Sequence, residues 1–264
     1  MLVLSIESSA KPVSVAVYQV SESDNTGPDR SKNTGSSESD TTIEKNTQSC
    51  KLLGQYFQYT GFSHSRTLLT MTESLLKNLE IKLSDIGLIA VAKGPGSFTG
   101  VRIGVSAVKG LAWGLDIPVC GVSTLEAMVF QTLAKPGILV CPVMDARRSQ
   151  VYNALFKWHE GKPVRLCEDR AISIEDLKVE LRSYSAMPLM LVGDGINVCD
   201  ESDLFSNFGE LPEPIRYQTA YGVALAAIRH KPIPAVELEP FYLRPSQAER
   251  ERKINKLKNY KRNG

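Results

Sequence analysis

Residues 86–100 read IGLIAVAKGPGSFTG, an apolar run that leads directly into a glycine-rich loop. The apolar run is typical of a buried β-strand, and the residues after Gly100 favour a helix. A glycine-rich loop between a strand and a helix exposes backbone amides at the helix N-terminus, which favours anion binding. The candidate anion loop therefore consists of Gly94, Gly96, Ser97, Thr99, Gly100 and Arg102.

Neither of two familiar phosphate-binding motifs fits this loop. The P-loop ends in Gly-Lys-Ser/Thr, whereas Gly100 is followed by Val101 and Arg102. The dinucleotide-binding fingerprint needs a glycine three residues after its second glycine, where this chain has Thr99. A tight turn leading into a capped helix explains the loop as well as phosphate binding does, and both interpretations stay open.

The helix predicted over 101–115 contains three glycines. Each interior glycine costs about 1 kcal/mol relative to alanine, and close approach of another part of the structure is the usual compensation. Gly100 with Gly104, and Gly110 with Gly114, are four residues apart, so each pair lies on one face. We favour packing against the chain's own sheet for each pair, with a subunit contact as the alternative.

Hydrophobic periodicity places strands and helices on both sides of this segment. Strands are predicted over 2–8, 13–20, 51–60, 138–144, 150–158 and 189–193, and helices over 65–80, 123–136, 174–184 and 220–230. The first two strands should form a hairpin, and Ser123 with Glu126 matches a capping box. Two strand-rich units with helices behind them predict a two-lobed α/β protein, with lobes over 1–112 and 113–245.

Two segments look different from the rest of the chain. Residues 21–49 contain one aliphatic residue, Ile43, and are predicted to be a flexible insertion because they bury too little apolar area. From Arg244 to the C-terminus there are eight basic and two acidic residues, a net charge of +6. Because the whole chain has a net charge of +2, the remaining residues carry −4. We expect residues 246–264 to be a basic tail on a mildly acidic body.

Cysteine and histidine usage argues against a disulfide framework or a zinc site. The five cysteines are scattered without a CxxC, and the three histidines are far apart in sequence. The N-terminus lacks the pattern of a signal peptide, and no apolar stretch reaches membrane-spanning length. We therefore expect a cytoplasmic protein without a membrane segment.

Three motifs closely resemble the TsaB family, also called YeaZ. They are GPGSFTGVRIG at 94–104, GVSTLEAM at 121–128 and MDARRSQVY at 144–152, and IESS, HSRTLL and FYLR are also similar. The resemblance implies a two-lobed actin-like, Hsp70-like ATPase fold (the ASKHA fold), here in degenerate form. It also implies a subunit that pairs with TsaD, which attaches threonylcarbamoyl to the adenosine beside the tRNA anticodon. The ATPase TsaE is expected to join that pair.

Comparison with TsaD implies that this chain is non-catalytic. The two metal-binding histidines of TsaD correspond to Thr124 and Met128, whose hydroxyl and thioether are poor ligands for a hard or borderline divalent ion. Glu7 replaces the aspartate that relatives usually carry at the end of the first strand. We therefore expect no catalytic residue, no metal and no cofactor.

The predicted partner face lies on the helices over 65–80 and 101–115, whose apolar content exceeds what a one-sided helix requires. In the resembled family these helices pair with TsaD, or with a second copy when the chain is alone. The candidate interface residues are His64, Leu68, Leu69, Thr72, Leu75, Leu76, Val101, Ile103, Val105 and Val108. Val101→Asp or Leu75→Asp should abolish pairing and leave the fold intact. The alternative is that all of these residues belong to the core.

Other functions stay open at this point. The chain could be an independent ATP-dependent enzyme of the actin-like fold, or a metallopeptidase, although no zinc-ligand spacing supports the latter. Contact with tRNA is expected to be indirect or to run through the basic tail. Asp145, Arg147 and Arg148 predict either an ion-pair turn or a partner contact.

Overall fold

A computed structural model describes residues 1–21, 49–59, 64–132, 134–199, 209–210 and 216–245. Apart from its two ends, the predicted insertion over 21–49 lies outside these residues, and so does the whole predicted tail over 246–264. The described residues form two β-sheets with helices packed against them, which confirms the α/β class. Among the same residues, no helix is long and apolar enough to cross a membrane.

The first sheet contains five strands. They are β1 (Leu2–Glu7), β2 (Val13–Ser21), β3 (Ser49–Gln58), β4 (Ile86–Ala92) and β5 (Val119–Val122), in the spatial order β3-β2-β1-β4-β5. Antiparallel pairing of β1 with β2 confirms the predicted hairpin, and β1, β4 and β5 run parallel. Side chains of β1 and β4 are buried on both faces, as expected for central strands covered on two sides.

Helices cover both faces of this sheet. The α-helices with described bounds are α1 (His64–Asn78), α2 (Phe98–Trp113), α3 (Thr124–Gln131), α4 (Ile174–Arg182), α5 (Ile196–Cys199) and α6 (Ala220–Ala227). The first two pack on one face and share an apolar core with the strands. The small residues of α6 pack on the other face, and Thr219 caps this helix, since its hydroxyl oxygen accepts a hydrogen bond from the Gly222 amide.

The second sheet contains seven strands. They are β6 (Leu139–Asp145), β7 (Gln150–Asn153), β8 (Phe156–His159), β9 (Lys162–Arg165), β10 (Arg170–Ser173), β11 (Leu189–Val192) and β12 (Gly209–Glu210). The main order is β10-β7-β6-β11-β12, and β8 pairs with β6 and β9. Helix α3 packs against both α6 and β6, so these two helices connect the sheets.

The single strand predicted over 150–158 is wrong in detail, because the chain breaks between β7 and β8. Both strands pair with β6, but at different places along it. Between those places Pro142 carries no N–H for the ladder, and the buried Asn153 side chain donates to the Pro142 carbonyl over 3.0 Å. A side-chain hydrogen bond thus replaces regular strand pairing at this point.

The last described segment runs along the molecule and joins distant parts of it. Ile233 forms a bridge with Val119, the Phe241 amide donates to the Lys93 carbonyl over 2.6 Å, and Arg244 reaches the Ala146 carbonyl. The fifth strand of the first sheet, β5, belongs to the segment that the sequence assigns to the second lobe. The division into lobes over 1–112 and 113–245 stays a prediction.

Candidate functional site

The glycine-rich loop lies between β4 and α2, as the sequence predicts. Ser97, one of the predicted anion ligands, caps α2, since its hydroxyl oxygen accepts a hydrogen bond from the Gly100 amide over 3.3 Å. This contact satisfies one of the amides that a helix N-terminus leaves open. The interpretation as a turn leading into a capped helix is therefore confirmed.

Close packing against the turn after β1 explains why the loop needs glycine. A Cβ atom at Gly96 would lie 2.3 Å from the Ser9 carbonyl oxygen, and one at Gly100 would lie 2.1 Å from the Ser8 carbonyl oxygen. Gly94 has a φ of +116°, where side chains are strained, and faces the Phe241 carbonyl. The chain's own backbone thus occupies the space that side chains would need.

Two of the predicted anion-binding residues, Ser97 and Arg102, already form contacts within the chain. The Ser97 amide donates to the Ser9 carbonyl over 2.6 Å. Arg102 donates from Nε to the Tyr242 hydroxyl over 2.9 Å, and its guanidinium lies 3.9 Å from the centre of the Phe98 ring. These contacts give Arg102 a structural role, and anion binding by the loop stays a prediction.

Glu7 ends β1 beside this loop and is fully buried. Its Oε1 atom accepts hydrogen bonds from the Ser9 amide and the Ser9 hydroxyl, both over 2.6 Å, while its Oε2 atom has no hydrogen-bond partner among the described residues. Burial raises the pKa of Glu7 to about 7, and the Asp194 carboxylate adds to the rise. The carboxyl is therefore only partly ionised near neutral pH.

The two positions that the sequence resemblance pairs with metal ligands of TsaD lie in the interior of the chain, and the Thr124 hydroxyl has no hydrogen-bond partner among the described residues. Thr124 and Met128 are both fully buried, and the Thr124 amide donates to the Gly94 carbonyl over 2.9 Å. Met128 packs with residues of the second sheet. Within the described ranges, no group of three or more His, Cys, Asp or Glu residues is arranged to hold a metal ion. The Thr124 hydroxyl and the Met128 thioether do not fit a hard or borderline divalent metal ion.

The capping box predicted at α3 is only half formed. The Ser123 hydroxyl accepts from the Glu126 amide over 3.2 Å, but the Glu126 carboxylate contacts the His230 ring over 3.0 Å instead of returning to the cap. Ser123 also donates to Asp169 over 2.5 Å. The contact with His230, which is far from Glu126 in sequence, takes the place of the local hydrogen bond from the cap amide.

The predicted partner face needs correction at most of its residues. Seven of the ten side chains are buried in the chain's own core, so they cannot reach a partner while the protein is folded; they are Leu68, Thr72, Leu75, Leu76, Val101, Val105 and Val108. His64 is half-buried and donates to the Ala10 carbonyl over 2.7 Å, and Ile103 is also half-buried. Leu69 is 50% exposed. The substitutions Val101→Asp and Leu75→Asp would therefore place a carboxylate in the core.

The two glycine pairs of α2 have different roles. A Cβ atom at Gly104 would lie 2.3 Å from Ser8 Oγ, which confirms own-chain packing for the pair with Gly100. At Gly110 and Gly114, by contrast, a Cβ atom would meet no atom of the described chain within 4 Å. The prediction of own-chain packing is therefore wrong for the second pair. Trp113, which sequence reasoning missed, lies between these two glycines and is 72% exposed.

Comparison with known proteins places these features in a family. The family model for TsaD, tRNA N6-adenosine threonylcarbamoyltransferase, matches residues 58–215. TsaB of Bacillus subtilis is 37% identical over 142 residues, a match that covers 54% of this chain and 61% of that protein. TsaB of Escherichia coli is 29% identical, and the match covers 78% of this chain and 94% of that protein.

A solved structure supports the same fold. The structure of YeaZ from Pseudomonas aeruginosa superposes with a TM-score of 0.68 at 22% identity, covering 92% of this chain and 99% of the other. Together with the family model, this likeness confirms the actin-like ATPase type of fold. On the strength of its matching motifs, fold and relatives, the chain belongs to the TsaB (YeaZ) family.

Proposed function

We propose that this chain takes part in tRNA threonylcarbamoyladenosine biosynthesis as a non-catalytic subunit that pairs with a TsaD-type transferase. The curated relatives are described as biosynthesis proteins for this modified nucleoside. The observation that supports the non-catalytic role is that Thr124 and Met128, which the sequence resemblance pairs with metal ligands of the transferase, are fully buried, with Met128 packed in apolar core. A hydroxyl and a thioether in such surroundings offer a divalent ion neither charge nor access.

The outer face of α2 supports a role in pairing. Gly110 lies inside α2 and weakens the helix by about 1 kcal/mol relative to alanine, and Gly114 is the C-cap residue that follows the helix. The described part of the chain places nothing against either glycine. Glycine on an open helix face lets another backbone approach closely. Trp113 adds an exposed aromatic side chain of the type enriched in interface hot spots.

The exposed part of α1 extends this proposal. Leu69 is the predicted interface residue of α1 whose side chain is exposed, to a fraction of 50%. We therefore define the proposed pairing face by Leu69, Gly110, Trp113 and Gly114. It binds the TsaD-type subunit, with the TsaE-type ATPase joining the pair, and it binds a second copy of this chain when the partner is absent.

Light scattering on a mixture of this chain with its TsaD-type subunit tests the pairing. We expect a complex with the wild type and its loss with Leu69→Asp or Trp113→Asp. Val179→Asp is the matched control, because Val179 is 63% exposed on α4 in the other part of the molecule. An intact complex with both face variants would refute the assignment.

A modification assay tests the non-catalytic role. Threonylcarbamoyl transfer to tRNA by the other subunits should require this chain, and this chain alone should transfer none. Transfer that is unchanged when this chain is omitted would count against a subunit role. Transfer by the isolated chain would overturn the non-catalytic assignment.

A further inference from the structure

The two sheets are connected through the interior of the molecule by α3. This helix packs against α6, which lies on the first sheet, and against β6 of the second sheet. Because α3 is short, from Thr124 to Gln131, the packed connection that it provides is narrow. Two rigid bodies joined along a narrow connection can rotate about it, unless a second connection elsewhere restrains them.

A segment near the end of the described chain supplies a second connection. Residues 238–244 run from the first sheet to the turn that follows β6, and we call them the C-terminal strap. Residues 238–242 form neither a helix nor a strand. The position of such a segment depends on the individual contacts that it makes with the rest of the molecule.

The first end of the strap is firmly attached to the first sheet and to α2. Leu238 is 1% exposed and belongs to the apolar core that this sheet shares with the two helices on that face. The Lys109 ammonium, on α2, donates to the carbonyls of Val236 and Leu238, both over 3.0 Å. The Phe241 amide donates to the carbonyl of Lys93, just after β4, over 2.6 Å. A buried side chain and backbone hydrogen bonds therefore fix this end.

The middle of the strap lies over the glycine-rich loop. The Tyr242 ring packs against the Phe98 ring with centres 4.6 Å apart, and its hydroxyl accepts from Arg102 Nε over 2.9 Å. A Cβ atom at Gly94 would lie 2.2 Å from the Phe241 carbonyl oxygen, so glycine leaves room there for the backbone of the strap. These contacts also attach the strap to the elements of the first sheet.

Arg244 attaches the other end of the strap to the second sheet. Its Nη1 atom donates to the Ala146 carbonyl over 2.9 Å, and Ala146 is a buried residue that directly follows β6. The turn holds this carbonyl in place, since the Ala146 amide donates to the Gln150 carbonyl and the Asp145 carboxylate accepts from the Arg147 amide. If the guanidinium were absent, the Ala146 carbonyl would need water as its donor.

We propose that the C-terminal strap is a releasable clamp, which holds the two sheets in one relative orientation through the hydrogen bond from Arg244 to Ala146. The two ends of the strap are held unequally. Packing and several hydrogen bonds hold it on the first sheet, whereas a hydrogen bond from a charged donor holds it on the second. The second end therefore opens first, and its opening lets the sheets rotate about α3. The inference concerns this chain alone and does not depend on a partner.

The distance between two nitroxide labels on the full-length chain, measured by pulsed electron paramagnetic resonance, tests this proposal. One label replaces Lys77, which is exposed on α1, and the other replaces Lys157, which is exposed on β8 of the second sheet. A ketone-bearing amino acid carries each label, so the five native cysteines stay unmodified. We expect a narrow distance distribution for the wild type. For Arg244→Ala the distribution should broaden, with the ratio of open to closed molecules raised about tenfold.

Arg170→Ala is the matched control. Arg170 is a half-buried arginine of β10 that donates to Asn153 over 3.1 Å and to Glu180 over 2.6 Å, so its contacts lie within the second sheet and α4. This variant should lower the melting temperature and keep the narrow distribution. An unchanged distribution for Arg244→Ala would overturn the proposal. Equal broadening for Arg170→Ala would also overturn it, because the broadening would then reflect lost stability rather than a released clamp.

Discussion

The buried carboxyl of Glu7 makes stability depend on pH in a way that one substitution can isolate. Its pKa is raised from 4.5 to about 7, first by burial and then by the Asp194 carboxylate. The folded protein therefore holds this proton more tightly than the unfolded chain. The resulting stabilisation is present below pH 4.5 and is lost as the pH rises through about 7.

The magnitude follows from the size of the pKa change. One pKa unit corresponds to about 1.4 kcal/mol, so the rise is equivalent to about 3 kcal/mol in total, most of it lost between roughly pH 5 and pH 8. Glu7→Gln keeps an acceptor for the Ser9 amide and cannot ionise. We expect the free energy of unfolding of the wild type to fall by about 2 kcal/mol more than that of the variant over this interval.

Urea unfolding of both proteins at several pH values measures this difference. The other ionisable groups are common to the two proteins, so the effects of those that do not interact with Glu7 cancel in the comparison. Equal m-values would show that both proteins unfold from equally compact states. Parallel profiles of unfolding free energy against pH would refute the reasoning, because they would mean that Glu7 titrates alike in the folded and unfolded states.

Further predictions follow from α1, α2 and Glu7. Gly110→Ala should stabilise the isolated chain by up to about 1 kcal/mol. Gly104→Ala should destabilise it by about 1–3 kcal/mol, because the added Cβ atom meets Ser8. The free energy of unfolding in urea distinguishes the two outcomes. Val101→Asp should lower the melting temperature sharply, because it buries a charge in the core. Leu69→Asp should leave the melting temperature nearly unchanged, because Leu69 is exposed. Equal melting temperatures of the two variants would contradict the burial of Val101. Glu7→Ala should reduce the tRNA modification supported by the complex only slightly, and a complete loss would mean that this carboxyl takes part in the chemistry.

Local patterns in the sequence located many of the elements correctly. The apolar alternation after residue 13 predicts β2, and the helices predicted from residues 174 and 220 begin where α4 and α6 begin. These signals succeed because strand periodicity and helix capping depend on residues a few positions apart. The stretch 86–100 likewise predicts a strand, a glycine-rich loop and the start of a helix.

The same local reasoning failed where a residue's surroundings come from elsewhere in the chain. Helical periodicity marks an apolar face but cannot say whether that face meets the chain's own sheet or a partner. Val101 and Val108 proved to be core, whereas Trp113 proved to be exposed. The break after Asn153 depends on Pro142 in the neighbouring strand, so no pattern within residues 150–158 reveals it.

By itself, the sequence determined the α/β class and the family, because residue type and order are sufficient for these. The tertiary structure alone decided that Gly100 and Gly104 are needed against Ser8, and that Arg244 reaches the Ala146 carbonyl. Such contacts join residues about a hundred positions apart, and they depend on the path of the chain through both sheets. Their energy comes from close approach in space, which no short stretch of sequence encodes.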